Sequence, residues 1–156
     1  EETERLGLPM PRFLMEPGRS IVADAGMTLY TVGSVKRIPG YKQYVAIDGG
    51  MTDNPRYALY ESRYTVLHGS RTGEAERFDV VGRCCESGDI IQPGVELPAD
   101  TCKGDIIAVC TTGAYNYSMA SNYNRLPRPP IVMLAKDRAY EAVRRETLED
   151  LIALDL

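Results

Sequence analysis

Phe78-Asp79-Val80-Val81-Gly82-Arg83-Cys84-Cys85-Glu86-Ser87-Gly88-Asp89 is the stretch whose reading decides how this chain folds. Phe78 to Val81 is an apolar run of the kind that packs as a strand. Ser-Gly-Asp after the cysteines is turn-forming chemistry. The order predicts a strand running straight into a turn, with Cys85 and Glu86 at the junction. A thiol beside a carboxylate on a rigid edge can donate a proton and bind an ammonium. The same residues also read as two half-apolar buried cysteines followed by an ordinary solvated turn. The flanking sequence has to separate the two.

On both sides the pattern is one of short strands. They are expected over residues 27–37, 41–48, 64–67, 78–84, 104–111 and 131–135, with the turn Ile38-Pro39-Gly40 making a hairpin of the first two. A long loop from Asp48 to Pro55 precedes Arg56-Tyr57-Ala58-Leu59-Tyr60, which reads as extended. Gly113-Ala114-Tyr115 ends one strand and opens a short helix through Met119. Tyr115 is either a core aromatic or a hydroxyl aimed at a ligand. Asp137-Arg138 makes a turn into residues 140–144, and Thr147 with Asp150 forms a capping box before Leu151-Ile152-Ala153-Leu154. Many short strands separated by Gly and Pro turns predict a mainly β chain, folded as a partly open β-barrel with short helices.

The start of the chain differs. After a short polar helix end at residues 1–6 comes the apolar run Arg12-Phe13-Leu14-Met15, then Glu16-Pro17-Gly18-Arg19-Ser20. A strand, a Pro-Gly turn and Ser20 as N-cap of a helix over 21–25 make a strand–loop–helix unit. Gly18 permits close backbone approach, the helix start offers N–H groups to an anion, and Arg19 adds a planar fork. A plain loop accounts for the same residues.

With 156 residues, 44% hydrophobic and 26% charged, the chain suits one globular domain with a real core. A net charge of −4 without a basic run argues against a nucleic-acid partner. No apolar run is long enough to span a membrane, and the acidic start is unlike a signal peptide, so a cytoplasmic protein is expected. Cysteines at 84, 85, 102 and 110 match no zinc spacing, which predicts free thiols and no metal site.

Four of these motifs stand together in a known pattern. Glu16-Pro17-Gly18-Arg19, Arg56 with Tyr60, Cys85-Glu86-Ser87-Gly88-Asp89 and Gly113-Ala114-Tyr115 keep the order and approximate spacing of the diaminopimelate decarboxylases. From about Glu16 to Asp155 the chain resembles that family, one of the pyridoxal-phosphate decarboxylases related in fold to alanine racemase. The resemblance covers only the C-terminal part of such an enzyme. It implies that residues 1–26 are the tail end of a cofactor-binding (β/α)8 barrel, its last strand and helix. Residues 27–156 are then a C-terminal β-rich domain for substrate recognition and dimerisation. A whole barrel needs roughly 250 residues and cannot fit here. Lys36, Lys42, Lys103 and Lys136 all lie in the β region, so the lysine that carries the cofactor is expected outside this chain. His68 lies outside the family's motifs and reads as structural.

The resemblance also implies roles. Glu16 contacts the pyridine nitrogen of pyridoxal 5'-phosphate and keeps it protonated. Gly18, Arg19 and Tyr115 lie at the cofactor phosphate. Arg19, Arg56, Tyr60 and Tyr115 bind substrate, the first three at the distal carboxylate of meso-2,6-diaminopimelate, and Glu86 takes the distal ammonium. Cys85 protonates the carbon that carbon dioxide leaves, giving L-lysine. Cys84 fills a position that is usually apolar in the family. The Cys-Glu loop serves the neighbouring subunit, so a homodimer with shared sites follows. The alternatives are an ornithine, arginine or carboxynorspermidine decarboxylase of the same superfamily, and a non-catalytic dimerisation or binding module. Those for ornithine and arginine typically carry Asp after the cysteine, and Glu86 with Arg56 favours diaminopimelate.

Overall fold

Burial alternates along the first long strand and sets the sheet around it. The computed structural model describes residues 1–156. In β1 (Met27–Arg37) Tyr30 and Val32 point into the core while Met27 and Leu29 face out, as the two-residue period of a half-covered strand requires. With β2 (Gln43–Ile47), β3 (Val66–His68), β4 (Ala75–Val81), β5 (Ile90–Pro98) and β6 (Ile106–Cys110) it forms one sheet in the order β3-β6-β1-β2-β4-β5. Every pairing is antiparallel except β2 with β4. Irregular register at Val32/Ser34 and at Phe78/Val80/Val81 bends β1 and β4. The sheet curls around one cluster that includes Val45, Phe78, Val80, Ile91, Ile107 and Val109. Its two edges nearly meet: Val66 of β3 and Ile91 of β5 share that core, and the Tyr64 N–H donates to Gln92 Oε1 at 2.8 Å. The result is the mainly β, barrel-like fold expected, its partly open barrel drawn nearly closed.

The hairpin between β1 and β2 turns where Ile38-Pro39-Gly40 placed it. The Ile38 N–H donates to Lys42 O at 2.9 Å, and Gly40 takes the φ of 73° that a side chain would resist. Several other expectations need correction. Strand β5 was not foreseen, because Pro93-Gly94 and Pro98 interrupt it. It tolerates proline as an edge strand, with the Gly94 N–H donating to Asp79 Oδ1 instead of to the ladder. The run 56–60 is not extended but helical, α3 (Arg56–Tyr60). Pro55 starts it, its C=O accepting from the Leu59 N–H, and Glu61 closes it at φ 51°. Residues 12–15 form no strand: Phe13, Leu14 and Met15 lie exposed with no neighbouring strand to take their backbone groups. After α1 (Glu2–Arg5), the next helix is α2 (Arg19–Val22), capped by Gly18 rather than Ser20 and continued by a 3-10 turn at Ala23–Ala25.

Beyond β6, α4 (Asn116–Met119) opens at Tyr115 as expected. A two-stranded sheet of β7 (Ile131–Leu134) and β8 (Ala139–Val143) leads to α5 (Leu148–Ile152), whose Thr147/Asp150 capping box forms in both directions. His68 is structural. Its Nδ1 accepts the N–H groups of Ser70 and Arg71, which leaves Nε2–H to donate to Asp105. All four cysteines are free thiols, no cluster of acidic, His or Cys side chains could hold a metal, and no helix is long and apolar enough to cross a membrane.

The segment around β7 and β8 is anchored by Glu146. Arg128 Nε donates to its Oε1 at 2.6 Å, and the Arg128 N–H and Asn122 Nδ2 donate to Oε2. These contacts, the Arg128 side chain first, hold the Glu146 carboxyl at about 2, below its ordinary 4.5. The anchor's contribution is therefore complete above pH 4.5 and is lost as pH falls towards 2. Acid unfolding followed across that window should be shallower in Glu146→Gln, which has no carboxylate left to protonate, than in the unaltered chain.

Candidate functional site

Two loops at one end of the barrel are fixed before any ligand is considered. Asp89 is buried, and its carboxylate accepts the Met51 N–H at 2.6 Å and the Cys84 N–H at 2.7 Å. Met51 belongs to the loop between β2 and α3, Cys84 to the loop between β4 and β5. Gly50 and Gly82 face the same carboxylate so closely that a Cβ on either would overlap its oxygens. Asp53 secures the first loop a second time, accepting the Gly50 N–H at 2.9 Å and the hydroxyl of buried Tyr30. Burial raises the Asp53 carboxyl above its usual range against the pull of those hydrogen bonds, and burial beside Asp53 raises the Tyr30 hydroxyl as well.

The loop so fastened delivers α3 and with it Arg56. The Arg56 guanidinium lies 5.0 Å from the centre of the Tyr60 ring and 5.4 Å from that of Tyr115, and its Nη1 is 3.4 Å from Met119 Sδ. Arg19 rests on Tyr115 too, at 5.2 Å. Neither arginine has an acidic partner, and both Arg19 Nη2 and Arg56 Nε are buried without an acceptor. Two guanidinium groups gathered on one phenol ring, with donors left open, form a place for an anion. Gly18 completes it: the Tyr115 hydroxyl stands where a Cβ of residue 18 would be. Tyr115 is half exposed and makes its contacts with Gly18, Arg19 and Arg56, so it is not a core aromatic. The turn before it is held by Gly113, whose N–H donates to Ala23 O at 2.9 Å and whose Cα admits no side chain against the Val22 carbonyl.

The second loop sorts its two cysteines. Cys84 is partly buried, and burial with the nearby Asp89 raises its thiol. Cys85 is exposed and its Sγ has no hydrogen-bond partner. Glu86 is also exposed, and its carboxyl is lowered first by the Gly88 N–H at 3.1 Å, then by the Ser87 hydroxyl. It is thus an anion held in place by its own turn.

Of the residues singled out in the sequence, Gly18, Arg19, Arg56, Tyr60 and Tyr115 come together. Cys85 and Glu86 share their own loop, and no hydrogen bond or ring contact joins them to the first group. Glu16 is exposed and makes no hydrogen bond or ion pair. The sequence reading missed Asp89 and Asp53 as organisers. Its quoted motif contained Asp89, but only as a turn former; the clue lay in Gly50 and Gly82, small residues that make room for a buried carboxylate. The open donors of Arg19 and Arg56 and the close approach at Gly18 suit the phosphate and carboxylate ends of a charged cofactor and substrate.

Comparison with known proteins narrows that chemistry. The sequence profile of the pyridoxal-dependent decarboxylase, C-terminal sheet domain, matches residues 20–113. A diaminopimelate decarboxylase of Bacillus subtilis is 51% identical over 158 residues, covering 100% of this chain and 36% of the relative. One of Staphylococcus aureus is 46% identical over 155 residues, covering 99% of this chain and 37% of its own length. A crystal structure of diaminopimelate decarboxylase from M. jannaschii in complex with L-lysine superposes with a TM-score of 0.86 at 37% identity, over 99% of this chain and 35% of that one. The chain thus spans a little over a third of the length of the curated relatives it matches.

Replacing Asp89 by Asn keeps the shape but turns an amide donor against Met51 N–H or Cys84 N–H. Asp89→Asn should lower stability to denaturant by about 1–3 kcal/mol and speed hydrogen exchange at Met51 and Cys84. Unchanged exchange at both would remove Asp89 as the tie between the loops.

Proposed function

The chain belongs to the pyridoxal-dependent decarboxylases through their C-terminal sheet domain, and from that membership we propose that it forms the substrate-reading part of a diaminopimelate decarboxylase. The observation that carries this reading is the separation of charge in the site. Two arginines with open donors stand together, and an exposed, anionic Glu86 stands apart on another loop. A substrate that carries both a carboxylate and an ammonium at its far end matches that pattern, as meso-2,6-diaminopimelate does. Ornithine has no distal carboxylate and leaves Arg56 without a task.

When bound, pyridoxal 5'-phosphate supplies the electron sink for loss of carbon dioxide. The chain's own residues do the rest. Gly18, Arg19 and Tyr115 would hold the phosphate end, since the Tyr115 hydroxyl is already turned to the Gly18 backbone. Glu16 would keep a proton on the pyridine nitrogen. Arg19 and Arg56 donate to the distal carboxylate, with Tyr60 and Tyr115 walling the guanidinium groups and holding their planes. Glu86 accepts from the distal ammonium. Cys85, exposed and unpartnered, gives its proton to the carbon that carbon dioxide leaves, and L-lysine results. Cys84, turned inward with a raised thiol, does not compete for that role.

Residues 1–26 act in this reading as the last part of a cofactor-binding barrel and residues 27–156 as the β-rich domain beside it. The lack of contact between the Cys85-Glu86 loop and the Arg56 cluster supports sites shared across a cytoplasmic homodimer, each loop serving the partner's cluster.

The test is a chimera in which this chain replaces the matching part of the Bacillus subtilis relative. It should release carbon dioxide and L-lysine from meso-2,6-diaminopimelate and turn ornithine over poorly. Arg56→Met should lower kcat/KM for diaminopimelate by about 10- to 100-fold, the loss of one charge-assisted contact. A chimera that prefers ornithine, or an Arg56→Met variant with unchanged turnover, would defeat the assignment.

A further inference from the structure

A separate cavity of about 290 Å³ is lined by Arg19, Ser62, Arg63, Tyr64, Thr65 and Thr111, and by neither Arg56 nor Tyr115. Its lining holds two guanidinium groups, three aliphatic hydroxyls and no carboxylate, on a chain whose net charge is −4. Arg63 forms no ion pair or side-chain hydrogen bond, Arg19 Nη2 is buried without an acceptor, and the hydroxyls of Ser62, Thr65 and Thr111 bond to nothing in the chain. Thr111 sits at φ 61°, a costly conformation for a β-branched residue. The Tyr64 hydroxyl leads inward to Asn116, itself 4% exposed and with its Nδ2 unpartnered.

A larger cleft, about 740 Å³ and also basic, differs in having Asp79 in its lining, and of its three cations Arg77 alone has no ionic partner. There Arg37 is engaged by Glu76 and the Ala99 carbonyl, and Lys42 by Asp79 at 2.6 Å. Cations already neutralised offer little to a ligand, whereas converging open donors of one sign create a demand for negative charge.

We propose that the smaller cavity is an oxyanion-binding subsite in which Arg63 and the hydroxyls of Ser62, Thr65 and Thr111 hold a small phosphate or carboxylate. Arg19 is its shared wall with the Tyr115 cluster, so occupancy draws on the same guanidinium that stacks on Tyr115. The subsite stands on this chain's own geometry, and decarboxylation plays no part in testing it.

The experiment follows the arginine Nε–Hε resonances of the 156-residue chain while inorganic phosphate is added at constant ionic strength, then repeats the titration with acetate. The Arg63 and Arg19 signals should move and saturate. Arg63→Gln should raise the concentration needed for the Arg19 shift by about tenfold, one charge-assisted hydrogen bond. Arg77→Gln, an exposed change in the other cleft, should leave it unaltered. Saturation at lower phosphate than acetate assigns a phosphate ligand, and the reverse order assigns a carboxylate. Shifts that stay linear with both anions, or that are the same in Arg63→Gln, overturn the proposal.

Discussion

One buried carboxylate organises the two loops that carry the candidate site. Asp89 bonds the Met51 N–H on one side and the Cys84 N–H on the other. It thereby ties two loops outside the ladder, which the Arg83 N–H to Gly49 O bond at 3.1 Å also joins. A charged acceptor on two backbone donors is the strong kind of hydrogen bond, and glycines at 50 and 82 give it room to sit between the chains. From the first loop hangs α3, and so Arg56 and Tyr60. On the second ride Cys85 and Glu86. The barrel supplies a rigid rim, and Asp89 sets the two functional pieces on it in a defined relation.

Around that joint, charge has been left unpaired. Six arginines of the chain have an acidic partner, among them Arg71 with Asp105, Arg125 with Asp155, Arg128 with Glu146 and Arg144 with Asp150. Of the arginines without one, Arg19 and Arg56 are set apart because each keeps a buried donor nitrogen with no acceptor. Tyrosine rings, not carboxylates, support these two, so their donors stay open and their positive charge stays available. A buried donor left without an acceptor costs stability, and the arrangement makes sense as a place prepared for a ligand.

Much of this was legible in the sequence, and the failures have physical reasons. The strands with alternating burial, the Ile38-Pro39-Gly40 turn and the Thr147 capping box follow from local chemistry and appear where expected. Arg56-Tyr57-Ala58-Leu59-Tyr60 was misread because five residues are too few for a period to show, and Pro55 settled the matter through backbone geometry. Strand β5 was hidden by its prolines, which an edge position tolerates. Residues 12–15 have strand composition but no neighbour to pair with. The grouping of Gly18, Arg19, Arg56, Tyr60 and Tyr115 was reached by resemblance to a family, not from spacing, because the contacts that gather them cross nearly a hundred residues. The part of Asp89 was unreadable for the same reason, since a turn aspartate and a buried acceptor look alike until the two glycines opposite it are seen in space.

The account rests on the claim that the Cys85-Glu86 loop and the Arg56 cluster of one chain work in different sites of a dimer. The direct measurement mixes two inactive forms of the chimeric enzyme, one with Cys85→Ala and one lacking the lysine that carries the cofactor. In a mixed dimer one site collects both defects and the other neither. Random pairing makes half the dimers mixed, so activity should recover to about a quarter of the unaltered level for a two-fold dimer with independent sites. No recovery, with subunit exchange verified separately, would place Cys85 in the same site as its own chain's cluster and contradict the account.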